Sequence, residues 1–186
     1  MPRTKLLREW LDQHLSHSHP GSTYTLEPAS ADASFRRYFR VTLPDGSTQI
    51  VMDAPPEHED CRPFLKVATL FRDAGVHVPA VYAEDLKLGF LLLSDLGNTT
   101  YLDVLDTTSA RALYSNANAA LIDIQRASRP GILPEYDRAL LTRELDLFPD
   151  WYVTRHLGLT LDATQEAALR AVFEKILANN LAQPQV

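Results

Sequence analysis

The sequence changes character once, after Asn98: before it lie short strand-forming runs, and beyond it only helical patterns remain. A strand-rich half followed by an all-helical half is an α+β or two-lobe signature. On the near side, Leu6, Leu7, Trp10, Leu11 and Leu15 fall on one helical face, which predicts a packed helix over 4–16. The stretch from His17 to Ser22 is a loop by composition, and its histidines, with His14, lack the nearby carboxylate or thiolate of a metal site. From Tyr24 to Ala54 the pattern is that of short strands. Leu43-Pro44-Asp45-Gly46-Ser47 is a turn, because Pro presets φ and Gly accepts a positive φ, so it links antiparallel strands at about 36–43 and 48–54.

A helix follows, with Asp60 as expected N-cap, Pro63 in the first turn and Gly75 just past the end. Val76–Glu84 and Leu88–Leu93 read as two more strands around a turn at 85–89, and Leu91-Leu92-Leu93 is a continuous apolar run suited to a central strand. Residues 99–106, 108–127, 136–157 and 162–182 read as helices, the last opened by Asp162 with Gln165 as a capping box. The helices 108–127 and 162–182 each carry an apolar stripe, a surface through which the chain is expected to self-associate if it stays uncovered.

Charge and motif content remove several functions. A formal charge of −6 argues against a general nucleic-acid or membrane-surface binder, since polyanions need a basic face. Cys61 is the only cysteine, no apolar run approaches ~20 residues, and Glu9, Asp12 and Gln13 interrupt the first amphipathic segment, so a cytoplasmic setting is expected. The seven glycines form neither G-x-G-x-x-G nor a Walker loop, and G-x-S-x-G, H-E-x-x-H and C-x-x-C do not occur.

Two segments carry candidate chemistry. Ala31-Asp32-Ala33-Ser34-Phe35-Arg36-Arg37-Tyr38-Phe39-Arg40 places a hydroxyl and arginines between two strands, where backbone N–H groups and a guanidinium could cover phosphates. An arginine-bearing solvent face of a strand would look the same. Gly89 to Asn98 joins the two halves, and a strand that exits into a connector offers backbone groups to a flat ligand edge. An ordinary linker is the competing reading. Cys61 at a helix start has no partner base and is expected to be inert.

The element order resembles the small lobe and hinge of protein-kinase-like folds. The strings at 31–40, Ile-Val-Met-Asp-Ala-Pro-Pro (50–56), Gly-Phe-Leu-Leu-Leu-Ser-Asp-Leu-Gly (89–97), Thr-Tyr-Leu-Asp-Val-Leu (100–105) and Arg-Glu-Leu-Asp-Leu-Phe-Pro-Asp-Trp-Tyr-Val (143–153) carry it further. Together they resemble the aminoglycoside-phosphotransferase family, and within it the bacterial anomeric kinases of N-acetylmuramate and N-acetylglucosamine in cell-wall recycling. The resemblance implies ATP and Mg²⁺ as cofactors and a small sugar as acceptor. It implies a kinase-like small lobe over 1–96, with a five-stranded antiparallel sheet, and the first helices of an α-helical large lobe over 97–186. It places Ser34, Phe35, Arg36 and Arg37 in the phosphate-covering loop and Ser94, Asp95 and Leu96 in the adenine hinge. Arg143, Glu144 and Trp151, with Asp146, Asp150 and Tyr152 beside them, fall on the acceptor-sugar side; a helix docked through Leu145, Phe148 and Trp151 is the alternative.

The sequence departs from the family pattern in two places. Kinases usually carry a phosphate-holding lysine on the third strand, whereas Ile50-Val51-Met52-Asp53 has none. Arg36 or Arg37 is expected to take over that charge, and Glu57, Glu59 and Asp60, lacking a lysine partner, are expected to be solvated or to act as charges at the helix N-terminus. Family members also continue past Val186 into a His-x-Asp catalytic loop and metal-binding Asn and Asp residues, so catalytic groups and metal ligands are expected outside this chain, which alone should be inactive. Two other functions stay open: phosphorylation of another small alcohol of the choline or aminoglycoside type, and a non-catalytic nucleotide-binding or interaction module.

Overall fold

The computed structural model describes residues 3–18, 23–31 and 35–184. It contains two compact units, Met1–Arg126 and Ala127–Val186. In the first, five strands form an antiparallel sheet: β1 (Thr25–Ala31), β2 (Arg37–Thr42), β3 (Thr48–Asp53), β4 (Val81–Asp85) and β5 (Phe90–Ser94), in the order β1-β2-β3-β5-β4. Two helices cover its faces, α1 (Arg3–Ser18) and α2 (Arg62–Asp73).

Strand alternation explains why the sheet needs both helices. Successive residues point to opposite faces, so Val51, Phe90 and Leu92 meet Leu7, Trp10, Leu11 and Leu15 of α1. Their neighbours Met52, Leu91 and Leu93 turn the other way and pack with Cys61, Phe64 and Leu65. The unbroken Leu91-Leu92-Leu93 run is therefore buried on two faces at once, and β5 has β3 on one side and β4 on the other.

Where β5 begins, the backbone comes close to the end of β3. Gly89 has φ +71°, and a Cβ there would lie 1.8 Å from the Ala54 carbonyl oxygen. The Ala54 N–H donates to the Gly89 carbonyl at 2.8 Å. Only a residue without a side chain permits that approach.

Several boundaries differ from the expectation. The strand expected from Val76 begins at Val81, after Pro79, which has no N–H for a ladder bond. The N-cap position of α2 is Cys61, not Asp60; the Asp60 carboxylate instead accepts the Arg62 N–H at 3.0 Å. Beyond the sheet, the expected 99–106 helix is the short α3 (Tyr101–Val104), where Asp103 accepts the Thr100 N–H at 2.6 Å. Then follows α4 (Ala110–Ala127), on which Tyr114, Leu121 and Ile122 are exposed. Residues 19–22 of the expected loop lie outside the described residues.

In the second unit the long helix expected at 136–157 is two pieces. The first, α5 (Arg138–Leu147), starts on Asp137, whose carboxylate accepts the Leu140 N–H at 2.9 Å. A π-helical segment, Phe148–His156, continues it, ending with a Leu157 N–H to Tyr152 carbonyl bond of 3.0 Å. Pro149 is the cause: it cannot donate to the preceding turn and its ring crowds it, so the coil widens. The last helix, α6 (Ala163–Leu181), has the expected Asp162–Gln165 capping box. Leu141, Val153, Phe173 and Leu177 are buried here, and ion pairs Arg138–Glu174 and Arg170–Asp146 link α5 with α6. No helix among the described residues is long and apolar enough to cross a membrane.

Candidate functional site

The region around the β1–β2 connection holds a network of paired charges. Ser34 lies outside the described residues. Phe35, 62% exposed, stacks on His58 with ring centroids 4.4 Å apart. The next residue, Arg36, pairs with Glu59 at 3.0 Å between Nε and Oε2. Consecutive residues at the root of the loop are thus tied to consecutive residues ahead of α2. This corrects the expectation for Glu59, which is largely buried and paired rather than solvated; Glu57 is exposed.

Arg37 sits one residue further along, directly opposite Asp53 in the β2–β3 register. Its guanidinium donates twice to Asp53 Oδ2, once from Nε at 3.1 Å and once from a terminal nitrogen. The other carboxylate oxygen accepts from Arg3 Nε at 2.6 Å, and a terminal nitrogen of Arg3 donates to the Leu88 carbonyl at 2.6 Å. Asp53 is completely buried. Burying a carboxylate is costly unless it is paired and hydrogen-bonded, and two arginines from different elements meet that requirement. Sequence reasoning missed both Asp53 and Arg3. The available signal was an acidic residue between Met52 and Ala54 in an otherwise apolar strand.

A second network fixes the segment after β5. Asp95 accepts from Arg40 Nε at 2.6 Å and from the Gly97 N–H at 2.8 Å. The Arg40 guanidinium, more than any other contact, lowers the Asp95 pKa to about 2, with the Gly97 N–H assisting and burial opposing. Ser94 is tied to the residue just ahead of β4: its N–H donates to the Ala80 carbonyl at 2.8 Å, and its hydroxyl accepts the Ala80 N–H at 2.9 Å. Leu96 is 53% exposed where the chain leaves the sheet, and Gly97 follows at φ +88°. The three expected hinge residues therefore form one locally braced stretch. The sequence gives no local signal for the Arg40–Asp95 pair, because the two charges lie 55 residues apart.

On the second unit, Arg143, Asp146 and Asp150 line one shallow groove together with Arg138, Thr142 and Leu147. Glu144 pairs with Arg143 at 3.4 Å on the exposed side. Trp151 is exposed, with the Arg155 guanidinium 3.9 Å from its ring centroid. Phe148, Tyr152 and His156 stack in succession along the π-helical segment, each ring pair 5.5 Å apart. Of the alternative docking residues, Phe148 and Trp151 are about half exposed and Leu145 is half-buried, while Leu141 and Val153 are the buried residues here.

Cys61 is buried, and burial pushes its thiol pKa up. Among the described residues, no group of three or more His, Cys, Asp or Glu side chains is arranged to hold a metal ion.

Comparison with known proteins matches residues 25–186 to the phosphotransferase enzyme family. The chain is 55% identical to an N-acetylmuramate/N-acetylglucosamine kinase of Pseudomonas aeruginosa, over 87% of this chain and 47% of that protein. It is 45% identical to a protein of the same name from Pseudomonas putida, over 99% of this chain and 56% of that one. A third, from Neisseria meningitidis, is 43% identical over 100% of this chain and 55% of its own length. The chain thus spans about half the length of the curated relatives it matches.

Proposed function

This chain belongs to the phosphotransferase enzyme family, and from that premise we propose that the complete protein is an ATP-dependent kinase of an amino sugar, N-acetylmuramate or N-acetylglucosamine, acting at the anomeric hydroxyl. The observation that carries the reading is identity of 43–55% to relatives bearing that name, across 87–100% of this chain. In the reaction the C1 oxygen forms a bond to the γ-phosphorus as the bond from that phosphorus to the β–γ bridging oxygen breaks. The hydroxyl proton is released to water as ADP departs.

The chain's own part in this proposal is to bind and orient. In this reading residues 1–96 are the nucleotide-binding lobe and 97–186 the first helices of the second lobe, a functional division that falls inside the compact unit Met1–Arg126. Ser34, Phe35, Arg36 and Arg37 cover the phosphates. The Arg36–Glu59 and Phe35–His58 contacts support that role by bracing the root of the loop. Ser94, Asp95 and Leu96 present backbone atoms to adenine, a role the Asp95 contacts to Arg40 and Gly97 support. Arg143, Glu144 and Trp151 face the sugar, and the indole face opposite Arg155 suits stacking on a pyranose. Mg²⁺, when bound with ATP, would neutralise phosphate charge; no described residue is assigned to it. A cytoplasmic place in peptidoglycan recycling fits a lone buried cysteine and an intracellular nucleotide.

The test is direct. The complete protein, given ATP and Mg²⁺, should consume the reducing end of either sugar as ADP appears, one for one. Turnover with choline or kanamycin and with neither sugar would overturn the reading.

A further inference from the structure

The Arg3–Asp53–Arg37 network contains more positive charge than a buried carboxylate needs. One guanidinium would neutralise Asp53; the fold brings two, from α1 and from β2, leaving a surplus of about one positive charge. We infer that Arg3 and Asp53 are positioning residues for Arg37, and that Arg37, more than Arg36, supplies the charge met by the nucleotide phosphates. The inference rests on the kinase reading above.

Three observations separate the two arginines. Arg36 is matched with its own carboxylate, Glu59, at 3.0 Å, so that pair carries no net charge. Arg37 shares its carboxylate with Arg3, which already holds the other oxygen at 2.6 Å. Arg37 is also the more accessible, with 47% of its side chain exposed against 29% for Arg36 and 24% for Arg3. Its place on β2, opposite Asp53, puts it beside the end of β3, the strand where the expected lysine is missing.

Each member of the trio has a distinct part. Asp53 fixes the orientation of the Arg37 guanidinium through two bonds to one oxygen. Arg3 is anchored by the Leu88 carbonyl at 2.6 Å and by the Phe90 ring 4.8 Å from its guanidinium carbon. From there it offsets the Asp53 charge, so that Arg37 is oriented without being neutralised. The first helix is thereby part of the electrostatics of the nucleotide site, although its Arg3 lies 50 residues from Asp53 in sequence.

The experiment measures ATP and adenosine affinity calorimetrically for the complete protein and its variants, with steady-state KM values alongside. Arg37→Ala should weaken ATP roughly ten- to a hundredfold, the loss of a charge-assisted contact, and leave adenosine within about twofold. Arg36→Ala should cost ATP affinity less than Arg37→Ala does. Arg3→Met keeps an apolar stem against Phe90 and should weaken ATP several-fold, roughly, with adenosine and the KM for sugar unchanged; Arg3→Lys should restore much of the loss. The Arg3 pair keeps the test decisive even if Asp53→Asn fails to fold. Wild type that binds both ligands, with Arg36→Ala at least as damaging as Arg37→Ala or with Arg3→Met harmless to ATP, overturns the inference and leaves the kinase reading standing. Wild type that binds neither ligand overturns both.

Discussion

Replacing Asp95 by Asn tests whether the stretch after β5 is held by charge. The variant keeps the shape of the side chain and an oxygen for the Gly97 N–H, and removes the ionic part of the contact to Arg40. In the folded protein the Asp95 pKa falls from 3.8 to about 2. That difference corresponds to ~2.4 kcal/mol at neutral pH as an upper limit, at ~1.36 kcal/mol per unit. The Asp95 side chain is only 6% exposed but Arg40 is 26% exposed, so solvent screening reduces the expected contribution to ~1–2 kcal/mol. Because the folded pKa is depressed, the contribution is complete above the unfolded value near 3.8 and disappears as pH falls through about 2. At pH 3 roughly half should remain. Urea denaturation of wild type and Asp95→Asn at pH 6 and pH 3 measures this: the gap should be ~1–2 kcal/mol at pH 6 and shrink by about half at pH 3. A gap that stays constant with pH, or no gap at pH 6, would refute the reasoning. Arg40→Met provides the cross-check, since it should remove the same pH dependence.

Gly89→Ala should destabilise the first unit by about 3 kcal/mol or more, from a positive φ and a Cβ driven into the Ala54 carbonyl. An unchanged melting temperature would show that the β3–β5 approach relaxes freely. Cys61 should react slowly with a thiol reagent at pH 7.5 in the native protein and rapidly in urea, because its thiol is buried and its pKa raised; prompt native labelling would contradict the burial.

The legible parts of the fold were those governed by local pattern. The α1 stripe of Leu7, Trp10, Leu11 and Leu15, the Pro-Asp-Gly turn and the Asp162–Gln165 cap all depend on neighbours within a few residues. The Leu91-Leu92-Leu93 run likewise announced a strand with both faces covered. Pro149 was visible in the sequence too, yet its effect was not read: a proline inside a helical pattern can end a helix, kink it or widen it, and the pattern alone does not choose.

What tertiary structure decided was the pairing of charges. In the sequence Asp53 was only an acidic residue where a lysine was expected, and Arg3 only a terminal charge. Antiparallel register put Arg37 opposite Asp53, and α1 crossing the sheet delivered Arg3 to the same carboxylate. Outside the ladders, the segment ahead of α2 brought Glu59 to Arg36, and the stretch after β5 brought Asp95 to Arg40. The physical reason is range: apolar periodicity records which face of an element is buried, whereas an ion pair joins groups whose separation in sequence carries no information about their separation in space.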